Sequence, residues 1–132
     1  ELSGEPLIRC FCSAHVYVST STLENYGMAA REAVAFGLPL VGYDVGELST
    51  FGPHGARLLV KVNDKEALTM ALEMVLHDRP RLAQLMQASH DHAAEAYKHL
   101  QHRQDEELSS IGSTIEQFEK ELKLAREIAR SL

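Results

Sequence analysis

The sequence lacks the features of a membrane-spanning protein, of a nucleic-acid-binding protein and of a disulfide-rich domain. None of its apolar runs reaches the roughly 18 residues that a membrane-spanning helix needs. With 13 Lys and Arg against 19 Asp and Glu, the formal net charge is -6. No basic patch offsets this charge, which argues against a nucleic-acid partner. Only two cysteines are present, Cys10 and Cys12.

The two cysteines are predicted to be reduced. On an extended segment, side chains two residues apart point the same way, but their Cα atoms lie near the upper distance limit for a disulfide. We therefore expect two buried thiols, which suit a cytoplasmic protein. A Cys-x-Cys redox or metal site is the alternative interpretation.

The length of 132 residues and the apolar fraction of 45% are those of one globular domain or of a piece of one. The chain shows no internal repeat and no low-complexity segment. Residues 1–14 are predicted to be helical or irregular, with Ile8, Phe11 and Cys12 as the side chains that point inward.

Residues 15–43 contain a strand, a turn with glycine, a helix and a second strand. The first strand is predicted at His15–Thr20 and the second at Leu38–Tyr43. The helix follows Gly27 and ends at Gly37, which suits a left-handed C-cap. This order predicts a βαβ unit, in which ligands bind outside the carboxyl ends of the strands and helix N-termini favour anions.

Two glutamates stand eight positions apart around the start of this helix. Glu24 precedes the helix, and Glu32 lies about two turns into it. A diphosphate flanked by sugar hydroxyls would use both the helix N-terminus and the two carboxylates. A solvated charge paired with a neighbour is the alternative for Glu32, although almost all other side chains on this helix are apolar.

A third strand and two further helices follow a loop that is rich in turn residues. The strand is predicted at Arg57–Val62. Asn63 is the predicted N-cap of the next helix, because Glu66 stands three residues later, at the spacing of a capping box. Pro80 suits the first turn of a further helix, which continues to about residue 100.

The C-terminal residues 103–132 carry a heptad pattern. Their apolar residues are spaced alternately three and four apart, at Leu108, Ile111, Ile115, Phe118, Leu122, Ala125, Ala129 and Leu132. The pattern is compatible with an amphipathic helix that packs on its own domain and with a seam for a partner helix. We therefore predict two regions, residues 1–102 and residues 103–132.

Residues 23–41 resemble the signature of retaining GT-B-fold glycosyltransferases, most closely the nucleotide-sugar-dependent group called family 4 or group 1. That family carries a strand, a motif of two glutamates with seven residues between them, and a Gly-x-Pro strand. Glu24, Glu32 and the run Gly37-Leu38-Pro39 match it. The similarity covers roughly residues 7–100, and it includes the segments Asp44–Gly46, Leu58–Leu76 and His77–Pro80.

The resemblance implies an α/β fold, namely the second half of a doubly wound, Rossmann-like parallel sheet. We expect about three strands, flanking helices and a long C-terminal amphipathic helix. By the resemblance, Glu24 would be the catalytic residue that positions the transferred sugar. Gly27 and Met28 would offer backbone N–H groups to the donor diphosphate, and Glu32 would bind the ribose hydroxyls. A hexose would pass from a UDP-sugar or GDP-sugar to a hydroxyl with retention, and neither a metal nor another cofactor is expected.

The sequence also departs from the family's pattern. Glu47 replaces a usual second glycine, and Ser49 or Thr50 stands near a usual glutamate. The family's glycine-rich loop, its diphosphate-neutralising Arg and Lys, and its acceptor-binding N-terminal domain have no counterpart in these residues. We therefore expect the donor-binding portion of a longer enzyme, inactive alone. A non-catalytic oligomerisation module derived from this family is the alternative, and a homo-oligomer would use the edge of the first strand or the C-terminal helix.

Overall fold

A computed structural model describes residues 3–131 of the chain. Its elements, in chain order, are α1 (Gly4–Ser13), β1 (Tyr17–Ser19), α2 (Met28–Ala35), β2 (Leu40–Tyr43), a 3₁₀ helix (His54–Ala56), β3 (Arg57–Val60), α3 (Lys65–His77) and α4 (Arg79–Ser131). The chain forms two units, one that ends at Glu95 and one that begins at Ala96. Helix α4 contributes residues to both.

The three strands form one parallel sheet in the order β1-β2-β3. Val18 pairs with Val41, and Val41 pairs with Leu58, so β2 is the central strand. Because parallel strands need a crossover connection, helix α2 joins β1 to β2, and a long loop that contains the 3₁₀ helix joins β2 to β3. The predicted α/β fold with about three parallel strands, flanking helices and a long C-terminal helix is therefore confirmed.

Two clusters of buried side chains cover the two faces of the sheet. Successive residues of a strand point to opposite faces. Val41 therefore packs with residues of α3 and α4, including Val75 and Leu85. Leu40 points the other way and packs with Ala30 of α2 and Leu48 of the following loop. The central strand is buried on both sides, which explains its uninterrupted apolar sequence.

Gly37, at the C-terminal end of α2, shortens the predicted second strand. Gly37 has φ 78°, and its N–H donates to the Val34 carbonyl while the Leu38 N–H donates to Ala33, both at 2.9 Å. These two bonds form a Schellman motif, as the predicted left-handed cap at Gly37 requires. Because Leu38 belongs to that cap, β2 begins at Leu40 instead of the predicted Leu38.

The predicted N-cap of α3 is wrong by one residue. Asp64 is the N-cap, and its carboxylate accepts a hydrogen bond from the Ala67 N–H at 2.9 Å. Asn63 has φ 67°, a left-handed conformation that Asn tolerates better than most residues. It therefore forms the turn between β3 and the helix, and the strand ends at Val60 rather than at Val62.

The prediction for the first 14 residues is partly wrong. Gly4–Ser13 form helix α1, and the Phe11 ring stacks on Phe36 at 4.9 Å between centroids. Ile8 is 48% exposed, however, and both cysteines are free and exposed rather than buried. Cys10 and Cys12 were expected to point the same way on an extended segment, whereas residues two apart on a helix point in different directions.

Helix α4 starts where the sequence indicated. It begins at Arg79, and the Asp78 carboxylate accepts a hydrogen bond from the Arg81 N–H at 2.9 Å. Within the first unit, Ser89 is fully buried and donates to the Leu38 carbonyl at 2.8 Å. Within the second unit, every described residue is exposed. The division of the chain at residue 102 stays a prediction.

Candidate functional site

The candidate site lies where the loops after β1 and β2 meet, at the carboxyl ends of the parallel strands. Gly46 has φ 57°, and a Cβ atom at this position would overlap the Glu24 carbonyl. Gly42 is similarly close to the backbone of its sheet partner Ser19. The two loops touch through their backbones, and this contact fixes the position of Glu24 relative to the sheet.

Glu24 and Gly27 are in direct contact at the start of α2. The Gly27 N–H donates to Glu24 Oε1 at 3.0 Å. The first hydrogen bond within the helix runs from the Arg31 N–H to the Gly27 carbonyl at 2.8 Å. The N–H groups of Met28 to Ala30 therefore have no acceptor within the helix and point toward its N-terminus, where a negative charge is favoured.

The Glu24 carboxylate occupies part of the position that an anion would take in this conformation. It accepts the hydrogen bond that the predicted diphosphate would accept from Gly27. The predicted role of Glu24 toward the sugar and that of Gly27 toward the phosphate therefore require the Glu24 side chain to turn away. The Met28 N–H can serve the phosphate without this movement, and the Met28 side chain is 58% exposed.

Gly27 is required at the helix start for two independent reasons. Its φ of 64° is left-handed, which costs a residue with a Cβ atom free energy. A Cβ atom there would also lie 2.9 Å from Leu48 Cδ2 and 3.3 Å from Phe51 Cε1. The buried backbone of Gly27 is thus enclosed on the side of the β2 loop.

Tyr17 links the two predicted glutamates electrostatically. Burial raises the pKa of the Tyr17 phenol above its ordinary value, and the negative charges of Glu24 and Glu32 raise it further. Both carboxylates therefore lie close enough to one phenol to affect its ionisation. The phenol therefore stays neutral at physiological pH. Nothing in the sequence analysis singled out this tyrosine.

Glu32 is exposed and lines a groove to which Glu24 does not contribute. Together with Tyr17, Ala29 and Phe11, it lines this groove of about 580 Å³ between α1, β1 and α2. Most of the other lining side chains are apolar. Glu32 is the one charged side chain among the described residues that line this groove.

Arg31 connects the two loops, and the sequence analysis assigned it no role. Its guanidinium lies between the rings of Tyr26 and Phe51, at 4.6 and 4.4 Å from their centroids. It also pairs with Glu47 at 2.7 Å and donates from Nε to the Tyr26 carbonyl at 2.9 Å. Glu47, which departs from the family's usual glycine, therefore holds Arg31 against the β2 loop.

The structure thus brings some of the predicted residues together and separates others. Glu24, Gly27 and Met28 form one continuous group at the N-terminus of α2, and Glu32 lies on the neighbouring groove. Within residues 3–131, no group of three metal-ligating side chains is close enough to hold an ion. In the same part of the chain, no helix is long and apolar enough to cross a membrane.

Comparison with known proteins gives a family match and several relatives. Residues 1–98 match the family described as glycosyl transferases group 1. The chain is 33% identical over 115 residues to a D-inositol 3-phosphate glycosyltransferase of Stackebrandtia nassauensis, across 86% of this chain and 26% of that protein. It is 37% identical over 71 residues to the lipopolysaccharide core biosynthesis mannosyltransferase LpsB of Rhizobium meliloti, across 52% of this chain and 20% of that protein.

A third relative is a D-inositol 3-phosphate glycosyltransferase of Nocardia farcinica. It is 36% identical over 91 residues, across 68% of this chain and 20% of that protein. The chain therefore spans between a fifth and about a quarter of the length of these relatives. The matched family segment contains all four predicted site residues, Glu24, Gly27, Met28 and Glu32.

Proposed function

Because this chain belongs to the glycosyl transferases group 1 family, we propose that it is the donor-binding portion of a glycosyltransferase. The donor is a nucleotide-diphosphate sugar, and a hexose passes from it to a hydroxyl acceptor with retention at the anomeric carbon. Since the chain spans about a quarter or less of its relatives, the acceptor-binding domain belongs to other parts of the complete protein. A cytoplasmic location is part of this proposal, and the free thiols of Cys10 and Cys12 are compatible with it.

The observation that carries the proposal is the arrangement at the N-terminus of α2. First-turn N–H groups, a glycine without a side chain and a carboxylate stand together at the carboxyl end of a parallel sheet. Helix N-termini of this kind bind phosphate groups through their N–H groups and their dipole. We propose that Met28, and Gly27 once Glu24 has turned away, donate to the diphosphate.

The two glutamates have separate roles in this proposal. Glu24 leaves the Gly27 N–H and accepts hydrogen bonds from hydroxyls of the transferred sugar, which positions the anomeric carbon next to the diphosphate. Glu32 accepts hydrogen bonds from the ribose hydroxyls, as carboxylates do in other nucleotide sites. Its position on the groove beside β1 supports a role at the nucleotide end rather than at the reacting carbon.

Charge stabilisation of the departing diphosphate is incomplete in this chain. Preorganised donors and cations lower the barrier to such a departure. The described residues offer the N-terminus of α2, but Arg31, the cation on that helix, is already paired with Glu47 and held between two rings. We therefore propose that the missing cations come from other parts of the complete enzyme and that this chain alone transfers no sugar.

Isothermal titration calorimetry with UDP-glucose and with GDP-mannose tests the proposal on this chain. We expect weak binding of one donor, with a Kd of about 1 mM, which corresponds to about -4 kcal/mol. Glu32→Gln should weaken it roughly tenfold through the loss of charged hydrogen bonds to ribose. Glu66→Gln, a change on the exposed first turn of α3, is the matched control and should have no effect.

Two results would contradict the proposal. Equal binding of the donor by the wild type and by Glu32→Gln would show that Glu32 does not contribute to nucleotide binding. Sugar transfer by the chain alone would show that these 132 residues contain the complete catalytic machinery.

A further inference from the structure

The second unit carries an apolar stripe that its own residues do not cover. The stripe, which we call the seam, consists of Leu108, Ile111, Ile115, Phe118, Leu122, Ala125, Ala129 and Leu132, the last of which lies outside the described residues. The five large side chains from Leu108 to Leu122 are between 52% and 66% exposed. Within residues 96–131, α4 is the sole secondary-structure element, so the unit contains nothing that could bury the seam.

The spacing of the seam fits a coiled coil. Its residues alternate three and four apart through three and a half heptads, which keeps them on one line when two helices supercoil. A helix with a core-facing stripe is usually stabilised by what packs on that stripe, because isolated helices are only marginally stable in water. A stable second unit therefore requires a partner for the seam.

The charges around the seam favour a helix over a membrane surface as the partner. Residues 108–131 contain four Glu and four Lys or Arg, so the segment has no excess of positive charge. Amphipathic helices that lie on membranes usually have a polar face rich in Lys and Arg, which attracts anionic lipids. A balanced mixture of both signs beside an a/d stripe is instead typical of coiled-coil flanks.

We propose that a second copy of this chain covers the seam, in a parallel, in-register, two-stranded coiled coil. With Leu108 at heptad position a, Glu121 takes position g and Arg126 takes position e of the next heptad. In a parallel pair, g of one helix lies beside the following e of the other. Glu121 of each copy then pairs with Arg126 of the other, which gives two ion pairs across the seam.

The other g and e positions contain no like-charge contact in this arrangement. Thr114 at g lies beside Glu119 at e, and Glu107 lies beside Gly112. An antiparallel pair that used the whole seam would be centred at Lys120 and would place Glu121 beside the other Glu121. It would also place Glu119 beside the other Glu119, and such like-charge contacts are destabilising. Charge complementarity therefore selects the parallel arrangement.

The small residues at the end of the seam are compatible with this pairing. Ala125 and Ala129 occupy successive d and a positions, so the two helices can approach closely there. Ile128 at position g is 53% exposed and adds apolar surface beside these alanines. The bulky half of the seam, from Leu108 to Leu122, supplies most of the burial.

Sedimentation velocity of the full chain is the first test. We expect a dimer at about 100 µM protomer that dissociates on dilution, as mass action requires. Phe118→Asp, which places two carboxylates in the centre of the seam, should give a monomer at the same concentration. Gln117→Asp on the neighbouring outer position is the matched control and should remain dimeric. A monomeric wild type, or a dimer that persists in Phe118→Asp, would overturn the proposal, and the second result would implicate another surface such as the β1 edge.

Charge reversal tests the arrangement without placing a charge in the seam. Glu121→Arg and Arg126→Glu should each raise the dimer dissociation constant roughly threefold to tenfold, and the double reversal should restore it. Weakening by Arg126→Glu alone, with no effect of Glu121→Arg, would contradict the parallel register. Circular dichroism should show the same helix content in all variants at concentrations where they are dimeric.

A disulfide trap gives the orientation directly. In a chain with Cys10→Ser and Cys12→Ser, the substitution Ala125→Cys places two thiols in the same layer only if the helices are parallel and in register. We expect nearly complete cross-linking under mild oxidation. Cross-linking no greater than that of Lys123→Cys, on the outer face of the helix, would overturn the parallel pairing.

Discussion

The two units of this chain obtain their order from different sources. The residues up to Glu95 fold around a three-stranded sheet with buried side chains on both faces. The described residues from Ala96 onward form helix alone, and none of them is buried. The first unit is therefore stabilised by its own core. The second unit has an apolar stripe, but it contains no other element that packs on this stripe. The proposed ligand site and the proposed assembly surface therefore depend on different features of the sequence.

The largest expected difference between the units is in the loss of stability when a leucine is replaced by alanine. Leu85 is 1% exposed and packs against the sheet, so Leu85→Ala should lower the free energy of unfolding of the first unit by about 2–5 kcal/mol. Leu108→Ala changes the same chemical groups at a 66% exposed site and should alter this quantity by less than about 0.5 kcal/mol. Urea denaturation followed at the backbone amides of β2 measures both. Equal losses would show that the units share one core.

A pair of glycine substitutions should act in opposite directions in the two units. Gly46→Ala adds a Cβ atom that overlaps the Glu24 carbonyl at a left-handed φ, so we expect a loss of about 2 kcal/mol or more. Gly112→Ala adds a Cβ atom where no other atom lies within 4 Å, inside a helix, and should stabilise that helix by about 1 kcal/mol. Thermal unfolding by circular dichroism and amide hydrogen exchange report the two effects. A neutral Gly46→Ala would mean that the two loops are not held together as described.

Much of the first unit could be predicted because its signals are local. The Schellman cap at Gly37 and the start of α4 at Asp78 depend on residues that are adjacent in sequence. The contact between Gly46 and Glu24 could not be predicted, since it joins two loops that only the folded sheet brings together. The contacts of Arg31 could not be predicted for the same reason, because its partners Tyr26 and Phe51 lie on separate loops.

The wrong predictions have equally specific causes. Asn63 and Asp64 are both good N-caps, and only the left-handed turn at Asn63 decides between them. The inward positions of Ile8 and Cys12 have a helical spacing, but helix α1 buries none of its residues, and spacing alone does not show whether a helix is covered. The seam, by contrast, can be identified from the spacing of its apolar residues alone. This spacing does not identify the surface that covers the seam.

Substitutions at the N-cap of α3 should have a smaller effect on the stability of the first unit. Asp64→Ala removes the carboxylate that accepts from the Ala67 N–H and should cost about 1 kcal/mol. Asn63→Gly should be neutral or slightly stabilising, because glycine adopts the left-handed conformation without strain. Chemical denaturation distinguishes the two changes. A larger loss of stability in Asn63→Gly than in Asp64→Ala would indicate that Asn63 is the N-cap.

The smallest expected effect concerns the pH dependence of the first unit. Because the pKa of Tyr17 is raised in the folded chain, the native state keeps this proton at a pH where the unfolded chain has lost it. The contribution of Tyr17 to stability is therefore complete below about pH 10 and declines as the pH rises from there toward the raised folded-state value. Tyr17→Phe should remove this decline, which urea denaturation at a series of alkaline pH values measures.

Substitution of a carboxylate near Tyr17 tests the cause of its raised pKa. Glu32→Gln should lower the pKa of Tyr17, because it removes one of the two negative charges that raise it. Ultraviolet absorbance of the tyrosinate follows this ionisation, with Glu66→Gln on α3 as the control. An unchanged Tyr17 titration in Glu32→Gln would show that Glu32 lies too far from the phenol.

An amide-resolved NMR titration of the full chain with a nucleotide-diphosphate sugar shows which residues bind the donor. UDP-glucose and GDP-mannose are each added to the ¹⁵N-labelled chain, and chemical-shift changes are mapped onto the two units. We expect changes at the amides of Gly27, Met28 and the first turn of α2, extending to Glu32, with no change along the seam from Leu108 to Leu122. Saturable shifts in the seam, or none around α2 with either donor, would contradict the proposed donor site.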